Sequence, residues 1–160
     1  MLVYLFLRRF FMETERKNET ADFLDRMYKN VKMGSESIIT LMPKVKNDDL
    51  RAEMTKELTK LDGYSTEICN MLHKEGRAPK EENIVTKLSS KMGINMSTMM
   101  DSTTSHIAEM MMEGYTMGIT DMTKDIREAE RSKASESSLK LAREIVSFHE
   151  DSFSEMKKYL

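Results

Sequence analysis

Residues 47–76 read NDDLRAEMTKELTKLDGYSTEICNMLHKEG. Leu50, Met54, Leu58, Leu61, Ser65, Ile68 and Leu72 recur at steps of three and four. A helix turns about 100° per residue, so these side chains share one face. Asn47, Asp48 and Asp49 offer an N-cap ahead of the run. Lys74, Glu75 and Gly76 close it with a cation and a glycine, and Pro79 blocks continuation. The stretch predicts an amphipathic helix whose apolar stripe needs other helices to cover it.

The same test finds three more helices. Upstream, residues 19 to 41 carry Phe23, Leu24, Met27, Tyr28, Val31, Ser35, Ile38 and Met42 on one side, and Pro43 ends the run. Downstream, Asp101, Ser102 and Thr103 start a helix to about Arg131. Its broad apolar face holds Ala108, Met111, Met112, Tyr115, Ile119, Met122, Ile126 and Ala129. His106, Glu109, Glu113, Thr116, Thr120, Lys124, Arg127 and Arg131 lie opposite. After a polar turn at 132–136, a last helix over about 137–159 carries Leu139, Ala142, Ile145, Val146, His149, Phe153, Met156 and Leu160. In the connection between the second and third helices, Ile84, Val85, Leu88 and Met92 predict a short extra helix that stops near Gly93. The fold class is therefore all-α: an antiparallel up-down four-helix bundle with a short extra helix in the helix 2–3 connection.

Two prolines and six glycines in 160 residues leave helix unopposed, and the length fits one domain. A net charge of −2 gives no basic excess to draw the chain to nucleic acid or an anionic membrane. Cys69 is the one cysteine, which excludes an intrachain disulfide and a Cys-based metal cage. A reducing, cytoplasmic setting is the simplest expectation.

The first residues stand apart. Met1 to Leu7 is apolar, Arg8 and Arg9 follow, then Phe10, Phe11 and Met12. A secretory signal puts its charge before the apolar run, and a spanning helix needs roughly 20 apolar residues. Residues 1–17 are expected to be an extension, upstream of a start at Met12, with the bundle domain at 18–160. A short membrane-touching anchor is the alternative, and a membrane partner is not expected.

With the elements in place, the chain resembles the ferritin-like superfamily, specifically small bacterial four-helix bundles. The resemblance covers about residues 18–160 and is carried by several stretches. Lys-Glu-Gly-Arg-Ala-Pro at 74–79 follows helix two, and His-Ile-Ala-Glu at 106–109 opens helix three. Leu-Ala-Arg-Glu-Ile-Val at 141–146 and Met-Lys-Lys-Tyr-Leu at 156–160 close the chain. Metal-binding members project Glu side chains and Glu-x-x-His pairs into the bundle. Here Glu36 lies opposite its stripe, Glu57 at the flank, Asp62 nearly a right angle away, and Glu109, Glu113, Glu144 and Glu150 off theirs. No Glu-x-x-His occurs: Asn70, Thr103 and Val146 stand three before His73, His106 and His149. All these acids are expected in water, and a di-metal centre is not expected.

His149 is the titratable residue central on an apolar stripe. Counting from the turns sets Tyr115, Tyr28 and Tyr64 at its level. The bland expectation is a core histidine satisfied by a tyrosine hydroxyl; the functional one is a small polar site for a metal or ligand. His106 and Glu113, seven residues apart, belong to a solvated face, and His73 suits a helix C-terminus.

Methionine is abundant at 17 residues, with Met96, Met99, Met100, Met110, Met111, Met112 and Met117 clustered. Gap filling is the simplest use. Thioethers also bind Cu(I), but a soft site usually adds Cys or His close by in sequence, and three consecutive methionines cannot all face inward. Met99, Met110 and Met117 form an outward row, which predicts a homodimer contact. Gly34, Gly63, Gly114 and Gly118 inside helices predict close helix approach.

No phosphate loop, Cys-x-x-Cys or His-Glu-x-x-His motif is present. The sequence therefore reads as a non-catalytic, self-associating bundle with no cofactor. The alternative is an iron or manganese protein acting in oxidation or storage, and a further one a membrane-surface adaptor.

Overall fold

The computed structural model describes residues 1–80 and 100–160. Among the described residues four α-helices are formed: α1 (Leu2–Leu41), α2 (Asp48–Lys74), α3 (Thr104–Arg131) and α4 (Glu136–Met156). Single 3₁₀ turns follow α1 at Met42–Lys44 and α4 at Lys157–Tyr159. The short helix expected near 84–93 lies outside the described residues, as do Met96 and Met99.

Side chains start three of the helices. The Asn47 Oδ1 accepts from Leu50 N–H at 2.8 Å, Thr103 Oγ1 from His106 N–H at 3.3 Å, and Ser135 Oγ from Ser138 N–H at 3.3 Å. Each satisfies an N–H that the helix cannot pair internally. At the end of α2, Gly76 turns left-handed at φ +74°. The Gly76 N–H donates to His73 and the Arg77 N–H to Leu72, each at 3.0 Å, the paired bonds of a Schellman ending. The end of α3 repeats it through Lys133 at φ +58°, with the Ala134 N–H donating to Ala129 at 2.9 Å.

Cross-helix contacts set the directions. Asn30 meets Gly118, Arg26 meets Asp125, and Thr20 meets Ser135, so α1 and α3 are antiparallel neighbours. Gly34 approaches Leu61 while Asp22 and Asp25 meet Arg77, which runs α2 antiparallel to α1. Tyr64 meets Glu144, and α3 packs along α4. The result is an antiparallel four-helix bundle. Its core is one cluster drawn from all four helices, including Phe23, Leu24, Ile38, Leu61, Ile68, Ile107, Met122 and Ile145.

Two expectations change. The first helix does not begin near Glu19 but runs unbroken from Leu2. Residues 2–19 carry no proline or glycine to stop it. All of them are exposed, with Leu2 at 86% and Leu7 at 47%. The mid-helix glycines also divide. Gly34 and Gly118 sit under neighbouring side chains, whereas a Cβ at Gly63 or Gly114 would meet nothing within 4 Å.

Candidate functional site

The interior of the bundle holds a polar group that the sequence reading put elsewhere. Glu57, expected at the flank of α2 and in water, is 2% exposed. The buried positions of α2 are Leu50, Met54, Glu57, Leu61, Tyr64, Ile68 and Leu72, at steps of four and three that alternate from Leu50 to Ile68. Glu57 and Tyr64 therefore take the inward places that Leu58 and Ser65 were expected to share. The regular 54–57–61–64–68 spacing was the signal that could have found them.

The Tyr115 hydroxyl of α3 donates to Glu57 Oε2, while Glu57 Oε1 is buried without a hydrogen-bond partner. Burial pushes the Glu57 carboxyl up to about 7, and hydrogen bonds from Tyr115 and Ser152 only partly oppose it. Burial, then the facing Glu57 charge, holds the Tyr115 phenol well above its usual value.

His149 of α4 is 2% exposed. Its ring stacks at a tilt on Tyr115, 5.7 Å between centroids, and on Phe148 at 5.6 Å. Phe148 in turn meets Tyr64 edge-on at 5.7 Å. Tyr64, Phe148, His149 and Tyr115 thus form one aromatic layer across α2, α4 and α3, and Tyr28 is buried on α1. The expected pairing of His149 with a tyrosine hydroxyl is not made: Tyr115 gives its proton to Glu57, and the Tyr64 hydroxyl donates to Glu144 at 3.2 Å. A carboxylate is the stronger acceptor and wins that competition. Neither ring nitrogen of His149 has a hydrogen-bond partner. Burial holds the imidazole down to about 4, so it is neutral at physiological pH.

On the α1–α3 side of this layer lies a cavity of about 50 Å³, lined by Asn30, Met33, Met110, Met111, Met117 and His149 among others. That is room for a few waters or one ion. Asn30 spans its edge: Nδ2 donates to the Gly118 carbonyl at 3.0 Å, leaving Oδ1 buried without a hydrogen-bond partner. Gly118 makes the notch, since a Cβ there would lie 3.4 Å from His149 Nε2 and 3.6 Å from Asn30 Oδ1.

The methionine row is corrected here as well. Met110, expected outward, is 3% exposed, and Met117 is half-buried against the core. The reason is that α3 is covered on two sides, by α1 and by α4, so its apolar face is wider than a single stripe. Glu36 pairs with Lys32, and Asp62, Glu109, Glu113, Glu144 and Glu150 are exposed. Among the described residues no three His, Cys, Asp or Glu side chains gather as metal ligands. The groups around Glu57 are hydroxyls, not the carboxylates and Glu-x-x-His pairs that hold two irons in bundles of this kind.

No family model matches the sequence, and a search of curated proteins finds no match. Two solved structures do share its shape. A Dps1 point mutant from Mycobacterium smegmatis superposes with a TM-score of 0.76 at 14% identity, over 91% of this chain and 97% of that one. Dps of the same organism superposes with a TM-score of 0.72 at 15% identity, over 89% of this chain and 81% of that one. Likeness at that identity speaks for the fold, which is ferritin-like, and leaves activity to be argued from the side chains.

Proposed function

We propose that this chain is a non-catalytic, self-associating ferritin-like bundle of the cytoplasm, without a di-iron centre. The observation that carries it is the apolar projection of α1. Leu2, Val3, Tyr4, Leu5, Phe6 and Leu7 are followed by Phe10, Phe11 and Met12, and all are exposed. The six residues at 2–7 are apolar on every side of the helix. Contiguous apolar surface of this kind marks a contact site. A helix lying on a membrane is one-sided, whereas an all-round apolar helix is covered when several copies cluster.

The test is solution mass by light scattering on the full chain and on a chain begun at Met12. The full chain is expected as an oligomer and the shortened one as a monomer. Equal masses would remove the basis for this contact. Elemental analysis of the same untagged sample addresses the interior: stoichiometric iron or manganese would overturn the absence of a metal centre.

A second reading, a membrane-surface adaptor, draws on the basic residues Arg8, Arg9, Arg16 and Lys17 behind the apolar tip. No helix among the described residues is long and apolar enough to cross a membrane. Sedimentation with phosphatidylserine vesicles separates the two: binding by the full chain and not by the Met12 chain supports the adaptor.

A further inference from the structure

We propose that the cavity between α1 and α3 binds a small uncharged molecule with a hydroxyl head and a short apolar body, the head lying between His149 Nε2 and Asn30 Oδ1. Both atoms are buried without a hydrogen-bond partner. Both border one point: a Cβ at Gly118 would lie 3.4 Å from the first and 3.6 Å from the second. Asn30 is held in place, since its Nδ2 donates to the Gly118 carbonyl at 3.0 Å and leaves Oδ1 as the open end. His149 is 2% exposed, and its Nε2 edge meets the cavity at this notch. Two hydroxyls of the lining are already engaged: Ser37 donates to the Met33 carbonyl at 2.6 Å, and Tyr115 to Glu57. Much of the remaining wall is apolar and runs along α3 from Gly118 past Gly114 toward Met110.

Two unfilled polar atoms and an apolar wall choose the ligand. A neutral imidazole presents one donor and one acceptor, and an amide oxygen only accepts. With the ring proton on Nε2, a hydroxyl accepts from the imidazole and donates to Asn30 Oδ1, so one oxygen completes both. A carboxylate would set a second acceptor against Oδ1, and an ammonium would bring a charge into a largely apolar space. One water can make the same two bonds. At about 50 Å³, however, the cavity exceeds what one water needs. Further water would face methionine and glycine without polar partners, and apolar atoms displace such water at a gain. A hydroxyl carrying a short alkyl body therefore outcompetes water alone. Met33, Gly114 and Met117 are half-exposed, which opens a way in, and methionine side chains adapt to what enters. The inference is independent of whether copies associate.

The experiment is titration of the full chain, with isotope-labelled histidine, by primary alcohols from ethanol to 1-butanol, followed by NMR at the His149 ring nitrogens. A saturable shift at His149 is expected, with affinity rising about fourfold for each added methylene. 1-Chlorobutane has a similar shape without the hydroxyl proton and should bind about tenfold more weakly. 1-Butylammonium should also bind more weakly than 1-butanol. These comparisons use the unaltered chain, so no variant's folding affects them. Gly118→Ala places a methyl in the notch at ordinary contact distance, so it should abolish the saturable shift with the thermal melt retained. No saturable shift at His149, equal affinity for 1-chlorobutane, tighter binding of 1-butylammonium, or unchanged binding in Gly118→Ala overturns the site.

Discussion

The Tyr115 hydroxyl reaches from α3 to the Glu57 carboxylate on α2, a buried contact between two helices that run in the same direction. Removing the phenol oxygen leaves the buried Glu57 carboxyl without its tyrosine partner. Tyr115→Phe is expected to destabilise the bundle by about 1–3 kcal/mol. Glu57→Gln keeps an acceptor for the phenol and should cost much less. Urea unfolding of the two variants and their combination checks this, and the double variant should cost less than the sum.

Glu57 and His149 give opposite pH dependences. The Glu57 carboxyl titrates near 7 when folded and 4.5 in its ordinary state, so the unfolded chain loses that proton first. Stability falls as pH rises from 4.5 to about 7 and stays lowered above it. His149 titrates near 4 when folded and 6.5 ordinarily, so the unfolded chain gains its proton first, and stability falls as pH drops from 6.5 toward 4. The advantage of Glu57→Gln over the parent should grow by about 2.5 kcal/mol between pH 5 and pH 8. A constant difference across that range would refute an elevated Glu57.

Helix endings offer a cleaner test. Lys133 holds a left-handed φ of +58° at the Schellman ending of α3, where the matching position on α2 is glycine. Lys133→Gly is expected to stabilise by about 1 kcal/mol, since the left-handed penalty of an L-residue disappears. The shift should be visible in the thermal melt.

Glycine replacements inside helices should separate by what stands over them. Gly63→Ala meets open space and should gain about 0.5–1 kcal/mol from helix propensity. Gly34→Ala would press on Leu61 Cδ1 at 3.2 Å and should gain little or lose. Parallel denaturation curves decide between them.

Arg77 ties the end of α2 to α1, with Nη1 at 2.8 Å from Asp25 Oδ2 and a second bond to Asp22. Asp25 is buried, and that guanidinium is its ion-pair partner. Arg77→Ala should cost about 2 kcal/mol by leaving a buried carboxylate unpaired, and Arg77→Lys should recover only part of it. Calorimetry of the three proteins measures the loss.

Helix periodicity made the bundle legible because one face of each helix had to be covered. The stripes of Phe23 to Ile38 and Leu139 to Met156 contain many of the buried side chains of α1 and α4. Legibility failed where the stripe of α2 was centred on Leu58 and Ser65. Glu57 occupies an inward position on a regular spacing, which that centring left at the flank. Met110 failed for another reason: a helix with two neighbours buries a wider arc than one stripe predicts. His149 was read correctly as inward, yet its partner was not, because Tyr115 had a better acceptor on a helix that sequence cannot align with it. The cavity joins residues from three helices and has no linear signature at all.

The length of α1 has a mechanical consequence. From Leu2 to Met33 the helix contains neither glycine nor proline, and residues 2–19 alone add about 27 Å beyond the packed part. Such a strut has no hinge. Whatever grips its tip also fixes the azimuth and tilt of the whole body, so neighbouring bodies would be held at a set spacing, not left to swivel as on a flexible tether.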